Sequence, residues 1–346
     1  MEPRRRRDDF ASDNTAAICP EARALLDEAN AGHAPSYGDD RWTARVRELV
    51  RELFETDCAV YLVFNGTAAN AVALAQLCQS HHAVICHQYA HLQTDECGAP
   101  EFFTKGAKLL LADGADGKID IEVAARLIDE QPELHAQKPR VISVTQSTEL
   151  GTVYAVDEIR ALADFAHQRA CFVHMDGARF ANAVAALGCA PKTITWQSGV
   201  DVLCFGGTKN GLAAGELVIF FQKELARDFD YRLKQTGQLA SKTRFLAAPW
   251  IGLLSGDVWL RNARHANRMA ARLEEQLRAE KIDIVLPVDA NAVFVRLRQD
   301  RAQALRERGW DFYSFIEPDI YRLMCSWCTS EQRIAEFVAD AGAANA

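Results

Sequence analysis

Residues 140–180 read RVISVTQSTELGTVYAVDEIRALADFAHQRACFVHMDGARF. An apolar run from Arg140 to Thr145, a stretch of helical spacing from Val156 to Arg169 and a second apolar run from Cys171 to Met175 spell strand, helix, strand. Continuous apolar strands joined through a helix belong to a parallel sheet covered on both faces. The alternation extends both ways along the chain. Upstream lie a strand from Ala59 to Phe64, a helix from Ala68 to Cys78, strands from Ala83 to Cys86 and Lys108 to Leu111, and a helix from Ile119 to Asp129. Downstream, strands run from Val200 to Phe205 and from Glu216 to Phe221. Two amphipathic helices, Pro20 to Asn30 and Trp42 to Phe54, precede the series and flank the loop GHAPSYGDD at 32–40. After a loop-rich stretch from Thr236 to Gly256 the pattern becomes a long helix (Trp259 to Lys281), a strand (Ala292 to Leu297), a helix (Arg301 to Gly309) and a strand (Arg322 to Ser326). The expected fold is α/β: an arm over 1–20, a large domain over 21–255 with a mainly parallel sheet between helices, and a small α+β domain over 256–346.

Composition narrows the function. The chain has 346 residues, 49% apolar and 25% charged, enough to bury about three quarters of its unfolded surface. With 47 acidic against 39 basic residues the net charge is -8, which disfavours general binding to a polyanion. The most apolar stretch, Leu217 to Phe221, is far shorter than the ~18 residues of a membrane span. The basic start MEPRRRRDDF leads into no apolar segment of the secretory kind, so a cytoplasmic protein is expected. Arg4 to Arg7 is read as a solvated, mobile terminus. Ten scattered cysteines, several inside apolar runs, read as buried thiols in a reducing compartment. Cys325 and Cys328 have C-x-x-C spacing, but the chain has no second such pair, so buried or half-buried thiols are expected there rather than a metal site.

Three features fall at strand ends, where open α/β sheets bind ligands. Gly66-Thr67 opens a helix and offers unpaired N–H groups to an anion such as phosphate. HMDGARF (174–180) brings Asp176 and Arg179 to the end of a strand, and GGTKNG (206–211) lifts Lys209 among glycines. Each alone has an ordinary explanation: a turn and cap, an Asp176–Arg179 ion pair, an exposed lysine. The spacing around Lys209 is not that of a nucleoside-triphosphate loop, and the first strand leads into no G-x-G-x-x-G as a nicotinamide dehydrogenase requires. Together a phosphate cradle, a carboxylate and a lysine match the needs of pyridoxal phosphate: an amine to form an imine with its aldehyde and an anion to keep its ring nitrogen protonated.

The chain also resembles the L-threonine aldolase family of fold type I pyridoxal-phosphate enzymes. The resemblance spans nearly its whole length and rests on FASDNT (10–15), YGDD (37–40), FNGTAAN (64–70), Ala90-His91, HMDGARF (174–180), FGGTKNG (205–211) and YRLMCSW (321–327). It implies cleavage of L-threonine, L-allo-threonine and related L-β-hydroxy-α-amino acids to glycine and an aldehyde. By resemblance Lys209 forms the imine, Asp176 meets the ring nitrogen, Arg179 lies near the phenolic oxygen, and Gly66, Thr67 and Thr208 hold the phosphate. His91 is expected to stack on the ring close to the substrate hydroxyl, Ser12 and Arg322 to clamp the substrate carboxylate, and Tyr37 to reach into a site, that of a neighbouring subunit in a dimer or tetramer included. The chain departs from the family twice. Where many members have a histidine after the fourth strand of the large sheet, QSTELG (146–151) offers Thr148, and where some have an arginine near the phosphate, QLASK suggests Lys242. The competing reading is another fold type I enzyme, such as a β-eliminating lyase or an aminotransferase.

Overall fold

The computed structural model describes residues 7–130 and 134–343. Seven strands form the large sheet: β1 (Ala59–Val63), β2 (His82–His87), β3 (Lys108–Ala112), β4 (Lys138–Thr145), β5 (Phe172–Gly177), β6 (Val202–Phe205) and β7 (Glu216–Phe220). Their order is β1-β7-β6-β5-β4-β2-β3. The run from β6 through β5, β4 and β2 to β3 is parallel, and β7 is antiparallel to both of its neighbours. A second sheet, antiparallel throughout, orders β8 (Asp283–Ile284), β9 (Ala292–Arg296), β10 (Tyr313–Ile316) and β11 (Ile320–Met324) as β10-β11-β9-β8. Among the described residues no helix is long and apolar enough to cross a membrane.

Several expectations are corrected. The helix after β1 starts at Gly66 rather than Ala68, because the Asn65 side chain accepts the Ala68 N–H at 2.9 Å and caps the helix two residues early. The stretch from Thr236 to Gly256 is not all loop: Arg244–Leu254 is a helix despite Pro249 inside it. Its Trp250 ring lies 5.1 Å from Phe205, which also meets Phe180 and Trp259, so the end of β6 is fixed by aromatic packing just before the lysine loop. The last strand runs over Ile320–Met324, which places Arg322 at its centre opposite Phe294.

Residues 7–19 are built into the fold. Phe10 is buried against Trp310 and Phe337, its carbonyl accepts the Met324 N–H at 2.9 Å, and further on Cys19 N–H donates to Gly211 O at 2.8 Å. The segment from Phe10 to Cys19 therefore links the small sheet to the lysine loop. Arg7 is not solvated as expected: its guanidinium lies over the Trp310 ring and pairs with Asp340 at 3.5 Å. Arg4 to Arg6 lie outside the described residues. Among the described residues no cysteine is in a disulfide, and within the C-x-x-C pair Cys325 is buried while Cys328 is exposed, not half-buried.

Candidate active site

One cavity of ≈ 190 Å³ gathers Gly66, Thr67, His91, Asp176, Thr208 and Lys209. Gly66 and Thr67 begin a helix, so their N–H groups have no acceptor within it and face the cavity with the positive end of the helix dipole. The lysine loop sits beside β5 because Gly206 has no side chain: a Cβ there would stand 2.3 Å from Ala178 O. Any other residue would push the two strand ends apart.

Asp176 is aimed into the cavity by two bonds. Its Oδ1 accepts the Ala178 N–H at 3.0 Å, and its Oδ2 accepts Asn70 Nδ2 at 2.9 Å. It does not pair with Arg179. Asn70 Nδ2 also donates to Glu96 Oε1 at 2.8 Å, and the same oxygen lies 2.8 Å from His91 Nδ1. Burial disfavours the charged imidazole, but the Glu96 hydrogen bond and the charges of Asp176, Glu149 and Glu96 hold His91 above its ordinary range. Burial pushes Glu96 up. Behind Asp176, burial lowers His174 to about 4; its ring spans Ser143 Oγ and Cys204 Sγ. That imidazole is neutral near pH 7.

Glu216 braces the lysine loop from below by accepting the Gly207 N–H and a Thr208 hydrogen bond. Burial pushes its carboxyl up to about 7, against these bonds and the Lys209 charge. A carboxyl raised from 4.5 to about 7 in the folded chain binds its proton more tightly there than when unfolded. Stability from this group is thus full below about pH 4.5 and is lost as pH rises toward 7. Glu216→Gln should flatten the pH dependence of the thermal midpoint between those values; an unchanged slope would show that Glu216 ionises freely.

The four charges near the small sheet form an alternating chain. Asp13 grips Arg179 through two bonds of 2.7 and 3.0 Å, Arg179 lies 3.9 Å from Glu149, and Glu149 lies 3.5 Å from Arg322. Against its burial, the Arg179 charge holds Asp13 down at about 2. Arg322 rests on the Phe315 ring, and its buried Nε, like Glu149 Oε1, has no partner among the described residues. Ser12 caps the turn that presents Asp13 and Asn14, and Asn14 lines the cavity.

Of the expected site residues, Lys242 and Tyr37 lie elsewhere, and Ser12, Arg179 and Arg322 are not among those lining the Lys209 cavity. Thr148 turns away to Thr152 Oγ1 and Asp116 O, and the next residue, Glu149, takes the place facing the site. Lys242 lines a separate groove beside Phe64, not the Lys209 cavity. Tyr37 is 48% exposed next to that groove, its N–H bonded to Ser241 O. Sequence reading missed Asn70, Glu96, Glu149 and Asp13; only the FASDNT and FNGTAAN motifs gave a signal, for Asp13 and Asn70.

The donor set fits pyridoxal phosphate: helix N–H groups, an oriented carboxylate and a primary amine line a single cavity. The comparisons agree. The model of the family "Beta-eliminating lyase" matches residues 9–300. The chain is 55% identical to low specificity L-threonine aldolase of Pseudomonas aeruginosa and 53% identical to that of a Pseudomonas sp., in each case over 96% of both chains. A solved threonine aldolase of Leishmania major superposes with a TM-score of 0.93 at 27% identity, covering 98% of this chain and 100% of that one. With this likeness across its whole length, and with lysine, aspartate and helix N-terminus gathered in one cavity, the chain belongs to the beta-eliminating lyase family of fold type I enzymes.

Proposed function

We propose that this chain is a pyridoxal-phosphate-dependent L-threonine aldolase, a lyase that cleaves L-threonine and L-allo-threonine to glycine and acetaldehyde. The observation that carries the reading is the meeting of Lys209, Asp176 and the Gly66-Thr67 helix start in one cavity. When bound, the cofactor supplies an electron sink for the pair released as the Cα–Cβ bond breaks. Lys209 would supply the amine that holds its aldehyde, Asp176 would keep the proton on its ring nitrogen, and Gly66, Thr67 and Thr208 would bind its phosphate. Arg179, fixed by Asp13, would supply positive charge for the phenolic oxygen.

The substrate carboxylate goes to Arg322, whose free Nε edge and planar fork suit two carboxylate oxygens, with Ser12 as its second partner. Fixing that group turns the Cα–Cβ bond to the orientation in which it breaks. Because Glu96 Oε1 already accepts from Asn70, His91 donates its Nδ1–H to Glu96 and keeps the Nε2 lone pair for the proton of the substrate hydroxyl. Residues 21–255 carry the cofactor groups and residues 256–346 carry Arg322. Tyr37 and Lys242, outside this chain's own cavity, serve that of a second copy, which makes the protein a dimer or a tetramer of dimers. Its unpaired thiols suit the cytoplasm.

Incubating the loaded protein with each threonine isomer tests the function. Glycine and acetaldehyde support it, whereas ammonia and 2-oxobutanoate would make the chain an eliminating lyase. Arg322→Lys keeps the charge and loses the fork, so the KM for L-threonine should rise about ten- to a hundredfold and kcat should fall as the Cα–Cβ bond loses its orientation. A KM equal to that of the unaltered enzyme would move the clamp elsewhere.

A further inference from the structure

Asn70 occupies an unusual position: one amide nitrogen serves two buried carboxylates. Its Nδ2 donates to Glu96 Oε1 at 2.8 Å and to Asp176 Oδ2 at 2.9 Å, which uses both amide hydrogens. Glu96 Oε1 receives His91 Nδ1 as well. The side chains of Asn70, Glu96 and Asp176 are buried, and the remaining oxygens Asn70 Oδ1 and Glu96 Oε2 have no partner among the described residues. The Asn70 amide therefore has little freedom to turn without breaking one of its two bonds.

Resting on the aldolase reading, we propose that Asn70 is a positioning residue that couples His91 to Asp176, so that the group assigned to the substrate hydroxyl and the group assigned to the cofactor ring nitrogen share one hydrogen-bonded chain. The route is His91 Nδ1, Glu96 Oε1, Asn70 Nδ2, Asp176 Oδ2. Drawing the Asp176 charge toward one partner weakens its hold on the amide, and Glu96 feels the change because the same nitrogen serves it. Buried chains of this kind polarise one another, and any coupling must be equal in both directions. Through-space charge also reaches His91. Asp95 lies 3.5 Å from its Nε2 but is mostly exposed, Glu149 and Asp176 act on it across the cavity, and Lys209 lines the same space. A test must separate the bonded route from these.

The measurement is the titration midpoint of His91, read by NMR in the cofactor-free chain. Asp176→Asn should lower the proton affinity of His91 about tenfold when Asn70 and Glu96 are intact. Repeated in an Asn70→Ala background, and separately in a Glu96→Met background, the same replacement should lower it no more than about threefold, since the first removes the bridging amide and the second the oxygen that joins it to His91. The Glu96→Met arm, close in volume and without an acceptor oxygen, decides the matter alone should the Asn70 variant not fold. An undiminished tenfold effect in these backgrounds would overturn the coupling and leave only through-space charge. Acetaldehyde release by the loaded unaltered protein is measured on the same preparation. Its absence would overturn the aldolase reading without touching the titration result.

Discussion

Lys209→Ala is expected to abolish the absorbance band of the lysine–cofactor imine, leaving only that of the unbonded aldehyde, and to lower turnover of L-threonine by at least about 10⁴-fold, the scale seen when a covalent catalytic group is removed. In the proposed reaction the lysine supplies the amine that bonds the cofactor aldehyde. Everything around it serves its placement. Phe205 is locked by Trp250 and Trp259, Gly206 lets the loop approach Ala178, and Glu216 holds the Gly207 and Thr208 turn. None of those contacts is a bond to the lysine amine, so the cofactor-free variant should fold, its thermal midpoint lowered only through loss of the Lys209 charge that favours the Glu216 and Asp13 carboxylates. Absorbance titration with pyridoxal phosphate and an acetaldehyde assay read both effects. Retention of the band and of turnover would remove Lys209 from the chemistry.

The placement of Lys209 was legible because its causes are local. A run such as Val202–Phe205 can only be a buried strand, and the loop leaving its carboxyl end must lie at the ligand-binding edge of the sheet. Asp176 and Gly66 were readable for the same reason. The helix Arg244–Leu254 was hidden because Pro249 and its apolar flanks obscure the helical period, while burial of Trp250 against Phe205 overrides local preference. Antiparallel β7 escaped notice because a strand buried on both faces shows no direction in its sequence. The site partners were the least legible. Glu149 and Thr148 are neighbours, and which of them faces Arg322 is set by the turn after β4, where Thr148 is taken up by Thr152 and Asp116. Asn70 and Glu96 stand 26 positions apart, and no periodicity marks a bond between them.

His91→Phe should cost about 10²- to 10⁴-fold in kcat for L-threonine while leaving the cofactor's absorbance in place. Phenylalanine keeps a flat ring where the imidazole lies but offers no lone pair, so stacking survives and proton transfer does not. The charge relations around His91 make a second expectation. Glu96, Asp176 and Glu149 outweigh the burial that would otherwise lower its affinity for a proton. As a base it must be neutral, and a raised midpoint means that activity climbs with pH later than it would for an isolated imidazole. Glu96→Gln removes the hydrogen-bonded charge, so the acidic limb of kcat/KM should move to lower pH, and the intrinsic strength of the base should fall with it. The limb should vanish in His91→Phe. Should the phenylalanine variant keep both its turnover and its acidic limb, the proton of the β-hydroxyl passes to another group, and Glu149, the carboxylate with an unpartnered oxygen near Arg322, becomes the base to test.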